Sequence, residues 1–266
     1  MKIGFIGTGN MGGALARAAA KGGHTLLLAN RTPAKAAALA KELGGTVCPN
    51  AEAAETAELL FLGVKPQGLP GLAGELAPVL QARKGNAPVV VSMATAVTLR
   101  ELDAMLGGGL PLIRIMPNTP AAVGAGTILY AAQNVTDAQL NAFRAVLAQA
   151  GLLLPLPEAQ IDAASAISGC GPAFCFQFAD ALALGGVRAG LSYPDACRLA
   201  AQTMLGAAEM LLQGGEAPDV LKMRVCSPAG TTIEGVLALE QGGFSYTVQN
   251  AVTAAYRRTV DMTKKG

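Results

Sequence analysis

The run Gly7-Thr8-Gly9-Asn10-Met11-Gly12 follows the apolar segment Lys2–Ile6 without a gap and leads into a helical pattern from Ala14. Three glycines at GxGxxG spacing, between a strand and a helix, restrict the fold sharply. Gly7 permits the tight turn, Gly9 the approach of a pyrophosphate, and Gly12 the close packing of helix on strand. A chain that opens this way is expected to build a doubly wound parallel sheet, an α/β fold of Rossmann type.

The following segments keep the alternation. His24–Ala29 reads as a second strand and ends in Asn30-Arg31-Thr32-Pro33. An NAD-specific site usually carries Asp or Glu near this point, to accept hydrogen bonds from the ribose. This chain offers Arg31, which can pair with a phosphate, so NADP is favoured over NAD. Leu59–Val64 is apolar throughout, as a central parallel strand should be, and stops at Lys65-Pro66. Val89–Ala94 and Leu112–Met116 follow as strands, and Pro117–Gly126 is a stiff loop after a strand end, where ligands of such sheets bind. Thr127–Tyr130 and Leu152–Leu154 read as edge strands around a helix at Asp137–Gln149. The expected domain boundary falls at Pro157: a dinucleotide-binding domain over 1–157 and an all-helical domain over 158–266.

Helical patterns fill the second half at Glu158–Ile167, Pro172–Gly190, Tyr193–Gln213, Pro218–Val225, Thr231–Gln241 and Ser245–Lys264. The Pro172 helix is apolar nearly all round, more than a core of this size covers. The chain is 52% hydrophobic and 14% charged, which excludes disorder. No uninterrupted apolar run reaches the roughly 18 residues of a membrane span, so a subunit interface is the better expectation. A net charge of +2 without a basic cluster argues against nucleic acid. Cys48, Cys170, Cys175, Cys197 and Cys226 are odd in number and lack CxxC spacing, supporting neither disulfides nor a metal site. With no signal-peptide core before the first strand, a cytoplasmic protein is expected.

The stretch Val225–Gly235 carries the remaining chemistry. Ser227 is a candidate helix cap, Pro228 suits a first turn, and Thr231 and Thr232 bring two hydroxyls together. A helix start here can bind a small carboxylate through its free N–H groups. A carbonyl reductase needs an acid–base group or a metal. The single histidine, His24, opens the second strand, and no tyrosine has a lysine four residues later. A protonated C=N bond needs no strong protein acid, so an NADPH-dependent reductase of a small anionic imine follows.

The chain resembles the pyrroline-5-carboxylate reductase family over nearly its whole length. The resemblance rests on Ile6–Gly12, Val64–Pro66, Arg114–Pro120, Ser168–Ala173 and Ser227–Thr232. It implies hydride transfer from NADPH to 1-pyrroline-5-carboxylate, giving L-proline. By position, it implies that Thr232 bonds the ring nitrogen, and that Ser227 with the N–H groups of Gly230 and Thr231 holds the carboxylate. Ile6, Gly7, Thr8, Gly9, Asn10, Met11, Asn30, Arg31, Asn50, Gly63, Val64, Lys65, Pro66, Ser92, Met93 and Ala94 would line the cofactor. A homodimer through the helical domain is implied, often as five dimers in a ring. Two departures stand out: Ala229 replaces the usual glycine, and Arg224 a polar uncharged or acidic residue. A reductase of a related cyclic imine, a β-hydroxyacid dehydrogenase using Lys222, and a non-catalytic NADPH sensor remain as alternatives.

Overall fold

The computed structural model describes residues 1–83 and 85–263. They form two compact units, Met1–Cys170 with the chain end from Tyr256, and Gly171–Ala255. In the first unit eight strands alternate with helices: β1 (Lys2–Ile6), α1 (Asn10–Ala20), β2 (Thr25–Ala29), α2 (Pro33–Leu43), β3 (Thr46–Val47), α3 (Asn50–Thr56), β4 (Leu59–Leu62) and α4 (Leu69–Ala82). β5 (Val89–Ser92), α5 (Leu99–Met105), β6 (Leu112–Met116), β7 (Gly126–Gln133), α6 (Asp137–Leu147), β8 (Gly151–Pro155) and α7 (Glu158–Ser168) complete it.

The strand order is β3-β2-β1-β4-β5-β6-β7-β8. β1 to β6 are parallel, β7 pairs with β6 antiparallel, and β8 is parallel to β7. The chain order reverses between β1 and β4, and ligands of open α/β sheets bind at that switch point. β4 is apolar at every position because both its faces are covered. Phe61 faces one layer and stacks on Phe5 of β1 at 4.6 Å, while Leu60 and Leu62 face the other. Burying these side chains contributes about 1.5–3 kcal/mol each. β7 and β8 run longer than the sequence pattern suggested, β7 is an interior strand between β6 and β8 rather than the edge strand expected, and β3 escaped the pattern altogether. β3 has two exposed residues, too few to show a period.

The second unit holds α8 (Gly171–Arg188), α9 (Tyr193–Gly214), α10 (Pro218–Val225), α11 (Thr231–Gln241) and most of α12 (Phe244–Thr263). α8 and α9 form an antiparallel hairpin that packs through small residues. Ala183, Ala196 and Ala200 are its buried positions, and a methyl on Gly186 would stand 3.2 Å from the Ala196 side chain. Ser192 caps α9, accepting from the Asp195 N–H. Large apolar side chains remain uncovered in this one chain, Phe176 at 69%, Leu212 at 81% and Tyr246 at 71% exposure. By length and composition alone the stretch Glu158–Arg188 could cross a membrane, with a mean hydropathy of 1.3 in its most apolar window. Gln160, Asp162, Gln177 and Asp180 interrupt that stretch, which suits a surface covered by protein better than by lipid.

Candidate active site

The strands that carry the dinucleotide-binding residues end at one level. Ile6 pairs with Ala29 and Leu62, and Leu62 pairs with Ser92. The segments that follow, Gly7–Met11, Asn30-Arg31, Gly63–Pro66 and Met93-Ala94, are therefore adjacent along one edge of the sheet. Backbone contact makes Gly7 and Gly12 obligatory. Gly7 has φ +99°, and a methyl on it would stand 2.5 Å from the Gly63 carbonyl oxygen. A methyl on Gly12 would meet the Gly7 carbonyl oxygen at 2.0 Å. A methyl on Gly9 would meet nothing within 4 Å.

Gly9 is also the N-cap of α1, which has neither a side-chain cap nor an acidic residue in its first turn. The first N–H groups of α1 thus stand free beside an open backbone, at the positive end of the helix. The Thr8 hydroxyl is buried and has no hydrogen-bond partner among the described residues. A dinucleotide pyrophosphate would satisfy this set. Asn30 braces it: its side-chain oxygen accepts from Thr8 N–H at 3.0 Å, and its amide nitrogen donates to the Thr32 carbonyl at 3.0 Å. Arg31 is exposed and forms no ion pair among the described residues. The Ser92 hydroxyl accepts from Ala94 N–H at 3.3 Å, and Ala96, two residues on, has φ +61°.

An open cleft of about 470 Å³ lies beyond β2. Its walls include Asn30, Pro33, Val47, Cys48, Asn50 and Glu75. Burial and the nearby Glu52 carboxylate push the Cys48 thiol up, which keeps it protonated and unreactive. The sequence reading missed Glu75, because it reaches the cleft from α4, far along the chain.

Two further polar groups hold the frame. Arg114 is buried on β6 and donates to Asp162 at 2.6 Å and to Glu158 at 3.4 Å. Glu158 also accepts from Leu99 N–H at 2.6 Å, so one carboxylate joins the start of α5 to the start of α7. Asn118 accepts from Thr127 N–H and donates to the Ser168 carbonyl, both at 2.8 Å. One charged residue in an apolar strand, and one amide between prolines, were the signals available in the sequence.

In the second unit the expected cap at Ser227 is corrected. Ser227 to Gly230 form a turn, with Gly230 N–H donating to the Ser227 carbonyl at 3.0 Å, and Gly230 is the N-cap of α11. Pro228 belongs to that turn and not to the helix. A methyl on Gly230 would overlap the Ser227 hydroxyl at 2.2 Å. α11 has no side-chain cap, so the N–H groups of Thr231, Thr232 and Ile233 have no intrahelical acceptor. Ala229 has φ +54°, the left-handed region that favours glycine. Arg224 is bonded to both carboxylate oxygens of Glu216, at 2.5 and 2.6 Å, which pins α10 to the segment before it.

A macaque protein, pyrroline-5-carboxylate reductase 3 of Macaca fascicularis, is 35% identical over 99% of this chain and 97% of its own length. The chain belongs to the pyrroline-5-carboxylate reductase family. A Synechocystis pyrroline-5-carboxylate reductase is 42% identical over 81% of the chain and 79% of the relative. The domain family described as pyrroline-5-carboxylate reductase dimerisation matches residues 158–262, and that of NADP oxidoreductase, coenzyme F420-dependent, matches 2–96. The solved Plasmodium falciparum pyrroline carboxylate reductase with NADP bound superposes with a TM-score of 0.86, at 30% identity, over 99% of both chains. The chain is thus an NAD(P)-dependent oxidoreductase with pyrroline-5-carboxylate reductase function. The dimerisation domain supports a homodimer, and the uncovered side chains of α8 to α12 are the surface such a partner would bury.

Proposed function

We propose that the chain reduces the C=N bond of 1-pyrroline-5-carboxylate to L-proline with NADPH as the preferred donor. The observation that supports the substrate assignment is the uncapped first turn of α11 behind a side-chain-free N-cap. The N–H groups of Thr231, Thr232 and Ile233, with the Ser227 hydroxyl, hold the substrate carboxylate there. Gly230 contributes room rather than a donor, because its own N–H is engaged within the turn. The Thr232 hydroxyl accepts the hydrogen bond of the protonated ring nitrogen and fixes the ring's orientation.

The nicotinamide supplies hydride when bound. The Gly7–Gly12 loop and the start of α1 hold the pyrophosphate, and Ser92 to Ala94 with Gly63 to Pro66 line its path. Arg31, exposed and without an ion pair among the described residues, takes the 2′-phosphate. Reduction places the C=N π pair on nitrogen, which already carries its proton, so the reaction needs no strong acid from the protein. The working form is a homodimer through 158–266, assembled as five dimers. Five free cysteines support a reducing, cytoplasmic setting.

Two measurements test this. The Thr232→Ala enzyme should lose roughly ten- to a hundred-fold in kcat with NADPH affinity unchanged. Unchanged turnover would remove Thr232 from the mechanism. Replacing the substrate by 1-pyrroline, which lacks the carboxylate, should raise KM steeply; equal KM values would remove the carboxylate site.

A further inference from the structure

The cleft beyond β2 contains a carboxylate although the residues after β2 do not. Glu75, on α4, lines the same cleft as Asn30 and Asn50, and the Asn50 side-chain nitrogen donates to Glu75 Oε2 at 3.1 Å. An ionised carboxylate only accepts, so this bond settles which way the Asn50 amide faces: nitrogen toward Glu75, oxygen away from it. That oxygen has no hydrogen-bond partner among the described residues. Asn30 is different, since both ends of its amide are engaged by Thr8 and Thr32.

An amide that presents only its oxygen, backed by a negative charge, accepts from a hydroxyl and repels a phosphate. We propose that Glu75, acting through Asn50, is a specificity-determining residue that favours a free 2′-hydroxyl on the adenosine ribose and so counteracts Arg31. The proposal rests on the reading that this cleft receives the adenosine end of the nucleotide. It makes cofactor choice a balance between Arg31, which follows the cleft residue Asn30 in the chain, and the Glu75 carboxylate within the cleft. Glu75 is a positioning residue here, because Asn50 makes the contact.

The test is Glu75→Gln, with steady-state kinetics under both cofactors. The ratio of KM for NADPH to KM for NADH should fall roughly two- to five-fold, the range of one exposed charge–charge contact, with kcat unchanged for both. The shift should shrink in added salt and in an Asn50→Ala background, where the coupling is gone. Competitive inhibition by adenosine 2′,5′-bisphosphate against 5′-AMP should move the same way, which reads the cleft without catalysis. A ratio that stays constant or rises overturns the proposal. Arg31→Ala tests the phosphate reading separately: if it leaves KM for NADPH unchanged while Glu75→Gln shifts the ratio, only the Arg31 assignment fails. If neither substitution moves any inhibition constant, the cleft does not hold the adenosine end and both fail.

Discussion

Asn118 donates its side-chain N–H to the carbonyl of Ser168, across fifty residues of chain. The same amide accepts from Thr127 N–H, so one buried side chain joins the Pro/Gly loop, β7 and the last residue of α7. Ser168 opens the Ser-Gly-Cys-Gly-Pro segment that leads into α8. The loop is stiff in sequence, but its position is set by this amide.

Asn118→Ala should therefore destabilise the protein by about 1–3 kcal/mol, because it leaves the Thr127 N–H and the Ser168 carbonyl without partners. Thermal unfolding reads it. An unchanged melting temperature would show that water replaces both bonds.

Gly63→Ala should abolish dinucleotide binding. Its methyl would stand 2.5 Å from the Gly7 carbonyl oxygen, a backbone atom, so the glycine loop must shift to admit it. Gly9→Ala is the contrast: it meets no protein atom, and any effect on NADPH affinity reports the ligand itself. Fluorescence titration with NADPH separates the two, with folding followed by circular dichroism.

Ala96 and Ala229 both have positive φ, +61° and +54°, in turns that border the proposed cofactor and substrate sites. A left-handed alanine costs roughly 1–2 kcal/mol. Glycine removes that cost but gives the unfolded chain more freedom to lose, worth about 0.4–1 kcal/mol. Each Ala→Gly variant should gain between about 0 and 1.6 kcal/mol, by chemical denaturation. A loss of stability in either would mean that its methyl packs usefully.

Acid should weaken α5 first at its cap. Thr98 and Glu101 form a reciprocal capping box, and hydrogen bonds from the Thr98 backbone and hydroxyl hold the Glu101 carboxyl below its ordinary value of 4.5. A depressed folded value means the stabilisation is complete above the unfolded pKa and is lost as pH falls through the folded one. Glu101→Gln should therefore lower stability at neutral pH, where the ionised carboxylate contributes fully, and flatten the acid limb below about pH 4.5. An acid limb identical to wild type would remove this group from the account.

Much of this was legible in the residues. The glycine loop, the five-residue run at β6 and the bounds of α10 and α11 follow from strand periodicity and helix punctuation, which are local properties. Ser227 misled because Ser-Pro is a common helix entry, whereas here Ala229 turns the chain left-handed and moves the cap to Gly230. Glu75 and Asn50 are 25 residues apart, and only the packing of α3 on α4 brings them together. The partners of Arg114 were hidden for the same reason: Glu158 and Asp162 lie on a helix that reaches β6 only in the folded chain.

The most direct measurement follows NADPH absorbance after 1-pyrroline-5-carboxylate is added to the purified protein, with NADH in parallel. Loss is expected with both cofactors, faster with NADPH at low concentration, and L-proline formed one for one with NADP. Absorbance that stays constant with either cofactor would contradict imine reduction, and with it the substrate role given to the start of α11.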